Sequence, residues 1–215
     1  MRLMLGPVMV GKPQPFRGKE QSAIFKHPAS GPIALSTLGL AGDGVGDAQS
    51  HGGAEMAVHH YPHDHYARWV DELGLHELLA APGAFGENIS TDGLTEHDVW
   101  IGDRFRLGSA LVEVSQIRQP CWKIDHKFQR NGITARVFET ARCGWHYRVL
   151  EPGTVGEGDA LERVARGHEG WSVDRVFRAL FHKGGTVHEL LGVAHLTSLA
   201  QGWQEYALVR AMAAR

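Results

Sequence analysis

The sequence is poor in cysteine, with Cys121 and Cys143 the only two among 215 residues. Two thiols cannot build a disulfide framework, and no C-x-x-C or paired Cys/His spacing marks a structural zinc site. That scarcity suits a reducing compartment, so a cytoplasmic location is expected. No apolar run approaches the ~20 residues of a membrane span. Residues 1–7 hold too short an apolar stretch for a secretory signal, and no membrane partner is expected. Positive charge is not in excess either. Lys and Arg total 22 against 24 Asp and Glu, a formal net charge of -2, which argues against nucleic-acid binding but leaves room for a local basic pocket. No G-x-x-x-x-G-K-[ST] loop and no G-x-S-x-G elbow occurs, so a P-loop nucleotidase and a serine hydrolase have no support. The run Gly42-x-Gly44-x-Gly46 lacks the βαβ context of a dinucleotide fingerprint.

Glycine is abundant, at 27 residues, and it punctuates the first half. Turn signals recur at Gly11-Lys12-Pro13, His27-Pro28, Gly31-Pro32, Gly42-Asp43-Gly44, Gly52-Gly53 and Pro82-Gly83. Short strands between such turns predict a mainly β fold, a barrel or sandwich, with added helices. The clearest hairpin spans 99–115 around Gly108-Ser109. Strands are also expected over 145–150 and 160–164, with Glu151-Pro152-Gly153 as a turn between them. Helical spacing of Tyr66, Trp69, Val70 and Leu73 predicts a helix over 63–79. Asn131 is a candidate cap for a second helix, with Gly144 beyond its end.

Composition shifts near residue 168, and the chain divides into 1–166 and a helical subdomain over 167–215. Ser172 reads as an N-cap before the stripe Val173, Val176, Phe177, Leu180, Phe181, and Lys183-Gly184-Gly185 reads as its stop. Capping-box patterns at Thr186/Glu189 and Ser198/Gln201 start two more helices. The apolar residues Phe177, Leu180, Phe181, Leu191 and Trp203 need a covering surface: the barrel, each other, or a second copy in a homodimer.

The residues that point to chemistry gather around Pro120-Cys121. Proline stiffens the backbone entering the thiol. Arg118 and Lys123 flank it, and nearby cations favour the thiolate, which attacks electrophiles and binds soft metals. Three further segments share its polar, glycine-bearing character: 18–26 with Lys19 and Lys26, 39–53 ending in His51-Gly52-Gly53, and 83–89 with Asn88. Glycine lets backbone N–H groups approach a ligand, and lysines supply point charges for phosphate. His59, His60, His63 and His65 invite a metal site. Pro62 interrupts their helical spacing, and we read them as a strand-end pair followed by a solvated helix start. Cys143 reads as a small semi-buried residue at a helix end. Glu87 and Glu96 are available acids or bases that nothing in the sequence pairs.

Taken in order, these segments resemble the MOSC domain family, and within it the YiiM-type members. The resemblance rests on Gly18-Lys19, Ser22-Ala23-Ile24 with Lys26, Gly39-Leu40-x-Gly42-Asp43, His51-Gly52-Gly53, His60-Tyr61-Pro62 with Tyr66 and Trp69, and Gly83-Ala84-Phe85-Gly86-Glu87-Asn88. It continues through Thr91-Asp92-Gly93-Leu94-Thr95-Glu96, Gly102-Asp103, Val114-Ser115-Gln116, Arg118, Pro120-Cys121 and Gly144-Trp145, covering roughly residues 5–165. It departs from the family pattern at Ile117, where a proline usually precedes the matching arginine. The resemblance implies a MOSC-type β-barrel with flanking helices that holds molybdenum cofactor, a phosphate-bearing molybdopterin. Cys121 matches the cysteine that the resemblance implies as the molybdenum ligand or sulfur-handling thiol. Lys19, Lys26, Arg118 and Lys123 are implied to offset phosphate and ligand charge, and His51, Gly52, Gly53 and Asn88 to hydrogen-bond the pterin. Pyridoxal phosphate, carried by larger relatives, is not expected, because no lysine has a Schiff-base context. The implied activity is reduction of small N-hydroxylated bases or compounds, with electrons from a separate reductase. A non-catalytic carrier of the cofactor or of sulfur stands as the alternative, and a barrel for another phosphorylated ligand is the blander one.

Overall fold

The structure is a computed structural model that describes residues 1–47, 51–183 and 185–214. In chain order its strands are β1 (Arg2–Met4), β2 (Met9–Val10), β3 (Gln14–Arg17), β4 (Glu20–Ser22), β5 (His27–Pro28), β6 (Ile33–Ser36), β7 (Gly39–Leu40), β8 (Val58–His60), β9 (Arg104–Leu107), β10 (Ala110–Ile117), β11 (Trp145–Glu151), β12 (Gly153–Val155) and β13 (Ala160–Ala165). Its helices are α1 (Asp64–Leu73), α2 (Lys123–Lys127), α3 (Ile133–Thr140), α4 (Val173–Phe181), α5 (Val187–Ala194) and α6 (Gln201–Ala213), with short 3-10 turns at Ala54–Met56 and Glu77–Ala80. None of the described helices is long and apolar enough to cross a membrane.

Six strands form one antiparallel half-barrel in the order β1-β13-β9-β10-β11-β8, with small ladders β12-β6-β7, β2-β5 and β3-β4 around it. The expected hairpin over 99–115 is β9 and β10, joined at Gly108-Ser109 with Leu107 opposite Ala110. Strand β10 sits between β9 and β11 and is buried along almost its whole length. Phe105, Leu107, Val112 and Val114 alternate into the core, where Tyr147 and Trp145 of β11 meet them. Burying each such large apolar side chain contributes roughly 1.5–3 kcal/mol.

Strand β10 carries one irregularity that matters for the site. Val114 lies opposite Tyr147, but Gln116 lies opposite His146, so Ser115 is an extra residue, a bulge. Its hydroxyl donates to the carbonyls of Glu55 (2.7 Å) and His146 (3.1 Å), and its own carbonyl accepts from Ala200 N at 2.8 Å. Through that last bond the start of α6 is tied to the sheet.

Several local expectations change. The helix expected over 63–79 ends at Leu73, because Gly74 takes φ +79 and closes it. Asn131 does not cap α3. Gly132 precedes it, and Asp125 accepts from Gly132 N (2.9 Å) and Thr134 N (2.6 Å) instead. The same helix closes at left-handed Ala141 before it reaches Gly144. In the tail, Ser172 caps α4 by accepting from Arg175 N, and Thr186 and Glu189 form the expected capping box on α5. The stop at Lys183-Gly184-Gly185 includes Gly184, which lies outside the described residues. Ser198 does not cap α6: that helix starts from Ala200 without a side-chain cap, and Ser198 N donates to His168 instead. Val176, Phe177, Leu180, Leu190 and Val193 join the same core as the sheet.

His60, wholly buried on β8, holds Tyr147 Oη at 3.1 Å and Thr91 Oγ1 at 3.0 Å. Burial pushes its pKa down to about 3, whereas the unfolded chain protonates it near 6.5. The unfolded chain therefore binds the extra proton between those values. Stability is intact above about pH 6.5 and falls as the pH drops toward 3, by about 1.4 kcal/mol per pH unit for this one group. Urea unfolding between pH 7 and pH 4 should show a shallower loss in His60→Gln, whose amide carries a donor and an acceptor but does not titrate. Equal slopes would mean that another group titrates.

Candidate functional site

A cleft of about 460 Å³ opens where the loop after β10 meets three other segments. Its lining includes Ser22 to Ile24 and Lys26, residues 43–46 with His51 and Gly52, Phe85 to Asn88 without Glu87, and the run Gln116 to Lys123. Glycine is needed here for close packing. A side-chain carbon on Gly46 would lie 2.3 Å from the Gln21 carbonyl oxygen, so the segment can lie directly on β4.

Cys121 is a free, half-buried thiol in this lining. Its loop is held from below: the Cys121 carbonyl accepts from Ile124 N at 3.0 Å and from Thr134 Oγ1 at 3.2 Å. The β3–β4 hairpin covers the loop's outer side. Phe16 packs on Trp122 and His126, Arg17 lies over the Trp122 ring at 4.9 Å, and Lys123 Nζ donates to Gln21 O at 3.3 Å.

Arg118 is the cation closest in kind to the thiol's needs. Its backbone N–H donates to Gly144 O at 3.2 Å and its Nη2 to Phe85 O at 3.2 Å, while Nη1 is buried without a partner. Burial lowers its pKa, and Cys121 is the strongest of the groups that oppose the shift. Two histidines share the lining. His59 and His146 lie with ring centroids 5.0 Å apart, and His59 Nε2 is also buried and unpartnered. Burial, then His146 and Arg118, holds His59 well below the usual value. Burial, then Arg118, His51 and Lys26, pushes His146 down to about 3. Both imidazoles are therefore neutral near pH 7. Gln116 Nε2 stands 3.5 Å from His146 Nδ1.

The carboxylates nearby are structural. Asp43 accepts from Gly11 N (2.7 Å), from Asn88 Nδ2 (2.8 Å) and from Lys26 Nζ. Asn88 also donates to Met9 O (3.0 Å) and accepts from His59 N (2.9 Å), so its amide cross-links four segments. Glu87 accepts from Gly83 N, Phe85 N and Tyr66 Oη. Glu96 bridges Gly144 N and His65 Nε2, each at 2.7 Å.

Of the residues singled out from the sequence, Lys26, His51, Gly52, Asn88, Arg118, Cys121 and Lys123 come together in the cleft. Lys19 does not: it is exposed at the tip of the β3–β4 hairpin, outside the lining. Gly53, at the start of the 3-10 turn Ala54–Met56, is also outside it. The four clustered histidines go to different partners. His63 pairs with Asp92, and His65 is buried against Glu96 rather than solvated at a helix start. Cys143 is wholly buried, donates to Gly144 O at 3.1 Å, and is pushed well above the usual thiol range by burial. Met56, Gln116, His146 and Trp203 line the cleft without having drawn attention as site residues. Alternation in β11, with Trp145, Tyr147 and Val149 inward, does place His146 on the other face, but not what that face meets.

The MOSC domain family model matches residues 47–162. The chain belongs to the MOSC family. It is 44% identical over 160 residues to Protein YiiM of Escherichia coli (strain K12), covering 74% of this chain and 71% of that protein. A protein of Gibberella moniliformis named Reductase is 38% identical over 164 residues, which are 76% of this chain and 29% of that longer protein. Among solved structures, YiiM from Geobacillus stearothermophilus superposes with a TM-score of 0.83 at 30% identity, covering 98% of this chain and 100% of that one. As a MOSC protein the chain is YiiM-like from the half-barrel through the C-terminal helices.

The two thiols differ enough in burial to be told apart chemically. Iodoacetamide should modify native protein once, at Cys121, with Cys143 reacting only after unfolding in urea. Peptide mass spectrometry reads both sites, and equal native labelling would contradict the burial of Cys143.

Proposed function

We propose that the cleft holds molybdenum cofactor, with Cys121 as the sulfur ligand to the metal, and that the protein reduces N-hydroxylated compounds with electrons from a separate reductase. The observation that carries this reading is a half-buried thiol sharing a cleft with a buried guanidinium nitrogen that has no partner in the protein. A buried donor left unsatisfied costs free energy, and a phosphate or other anionic group would satisfy it. Thiolate is a soft ligand, suited to metals that also bind sulfur. The residues therefore fit the group.

Bound there, the molybdenum would supply two-electron chemistry. The chain's own residues do the rest. Arg118 offers Nη1 to an anion, with Lys123 adding charge in the same lining. Lys26 is already matched by Asp43 and steadies the wall. His59 and His146, neutral and mostly out of water, add dipoles without adding charge. The overall change balances as R–NH–OH plus two electrons plus two protons giving R–NH2 and water. The Gibberella relative's name, and its length of more than three times the matched segment, support a role for this module beside an electron-supplying partner.

The test is protein loaded with molybdenum cofactor, supplied with a purified flavin reductase and an N-hydroxylated purine. Cys121→Ser should lose turnover by at least about a hundredfold and lose bound molybdenum. Arg118→Ala should weaken cofactor retention ten- to a hundredfold, the equivalent of about 1.5–3 kcal/mol for a charged hydrogen bond. Molybdenum that is retained and passed to an acceptor protein, with no turnover by any donor, would make the chain a carrier instead.

A further inference from the structure

The cleft has a second, uncharged part. Trp203, on the first turn of α6, belongs to its lining, although it lies well past residue 162, where the family match ends. Met56, Gln116 and His146 are the lining residues that the Ser115 bulge gathers beside it. Ser115 bonds the Glu55 carbonyl next to Met56, the His146 carbonyl, and Ala200 N at the start of α6. Trp203 N in turn donates to Ala200 O at 2.9 Å. The indole packs against a touching pair, Phe181 and Tyr206, near-perpendicular to both at 5.6 and 5.7 Å, with those two rings 6.3 Å apart. It is half-buried and lines the cleft. None of these four side chains is charged near pH 7, in contrast to Lys26, Asp43, Arg118 and Lys123.

We propose that Trp203 is a specificity-determining residue: its indole gives the cleft a flat apolar wall, and His146 and Gln116 beside it give uncharged hydrogen-bond partners, so that a planar N-hydroxylated heteroaromatic is selected over a small aliphatic N-hydroxylated compound. Aromatic side chains stack on flat heterocycles with little regard to sequence or substituent, and buried amide and imidazole groups recognise ring nitrogens and exocyclic amines. The selection rests on the reduction proposed above; the wall itself does not.

Two measurements separate them. In loaded protein with a separate donor, the ratio of kcat/KM for N6-hydroxyadenine to that for acetamidoxime is compared among wild type, Trp203→Phe and Trp203→Leu. Leucine keeps an apolar contact with Phe181 and Tyr206 but has no flat face. It should lower the ratio about tenfold, mainly through the KM of the purine, while phenylalanine holds it within about threefold. An unchanged ratio in Trp203→Leu overturns the proposal. In unloaded protein, adenine is titrated while the Trp203 indole N–H is followed by NMR. A saturable shift supports the wall, and no shift at Trp203 overturns it. A shift without turnover by any donor would sink the reduction and leave the wall standing.

Discussion

A cation buried beside a thiol sets the terms for the rest of this cleft. Taking a guanidinium out of water costs several kcal/mol unless its donors are met. Arg118 is met on one side by the Phe85 carbonyl and left buried without a partner on the other. The Phe85 carbonyl must stay where it is, and the turn that presents it is fixed by Glu87 through Gly83 N and Phe85 N. Asn88, next in line, fixes the same segment to Met9, Asp43 and His59. Arg118's own backbone is fixed by Gly144 O, and Gly144 N by Glu96. The fixed positive charge also helps keep His59 and His146 neutral. One desolvated charge thus accounts for the placement of two loops and adds to burial in keeping two imidazoles neutral.

The acids follow a common pattern. Asp43, Glu87, Glu96 and Asp125 each accept from backbone N–H groups of turns that have no regular ladder to satisfy them. A short-stranded, glycine-rich fold has many such orphan donors. Carboxylates near a cleft are easily read as acids or bases; here their oxygens are spent on holding loops.

What could be read from the sequence was local. The β9–β10 hairpin, the cap at Ser172 and the capping box at Thr186 each depend on residues within a few positions, and each is present. The ordered glycine and basic segments also pointed to one another, and seven of the singled-out residues share the cleft. The rest depended on distance. His146 matters because β11 pairs with β8 and sets it against His59. Trp203 matters because Ala200 bonds Ser115, far away in sequence. Lys19 shares the glycine-lysine signature of a ligand loop, yet a tight hairpin carries it to the tip and out of the lining. The helix expected over 63–79 is present but shorter for a conformational reason: Gly74, just after the last residue of the apolar stripe at Leu73, leaves the helical region.

The bulge at Ser115 makes this site intolerant of a change in length. Side chains along a strand alternate faces with a period of two. With Ser115 present, Gln116 stands opposite His146 and Ile117 opposite Trp145. Loss of Ser115 would remove the hydroxyl that holds the Glu55 and His146 carbonyls, while pairing the full strand without a bulge would set Ser115 against His146 and an amide, Gln116, against Trp145 in the core. In a lineage drifting by insertion and deletion, the hairpin tips and the tail can vary in length, but the count from Val114 to Cys121 behaves as a ruler.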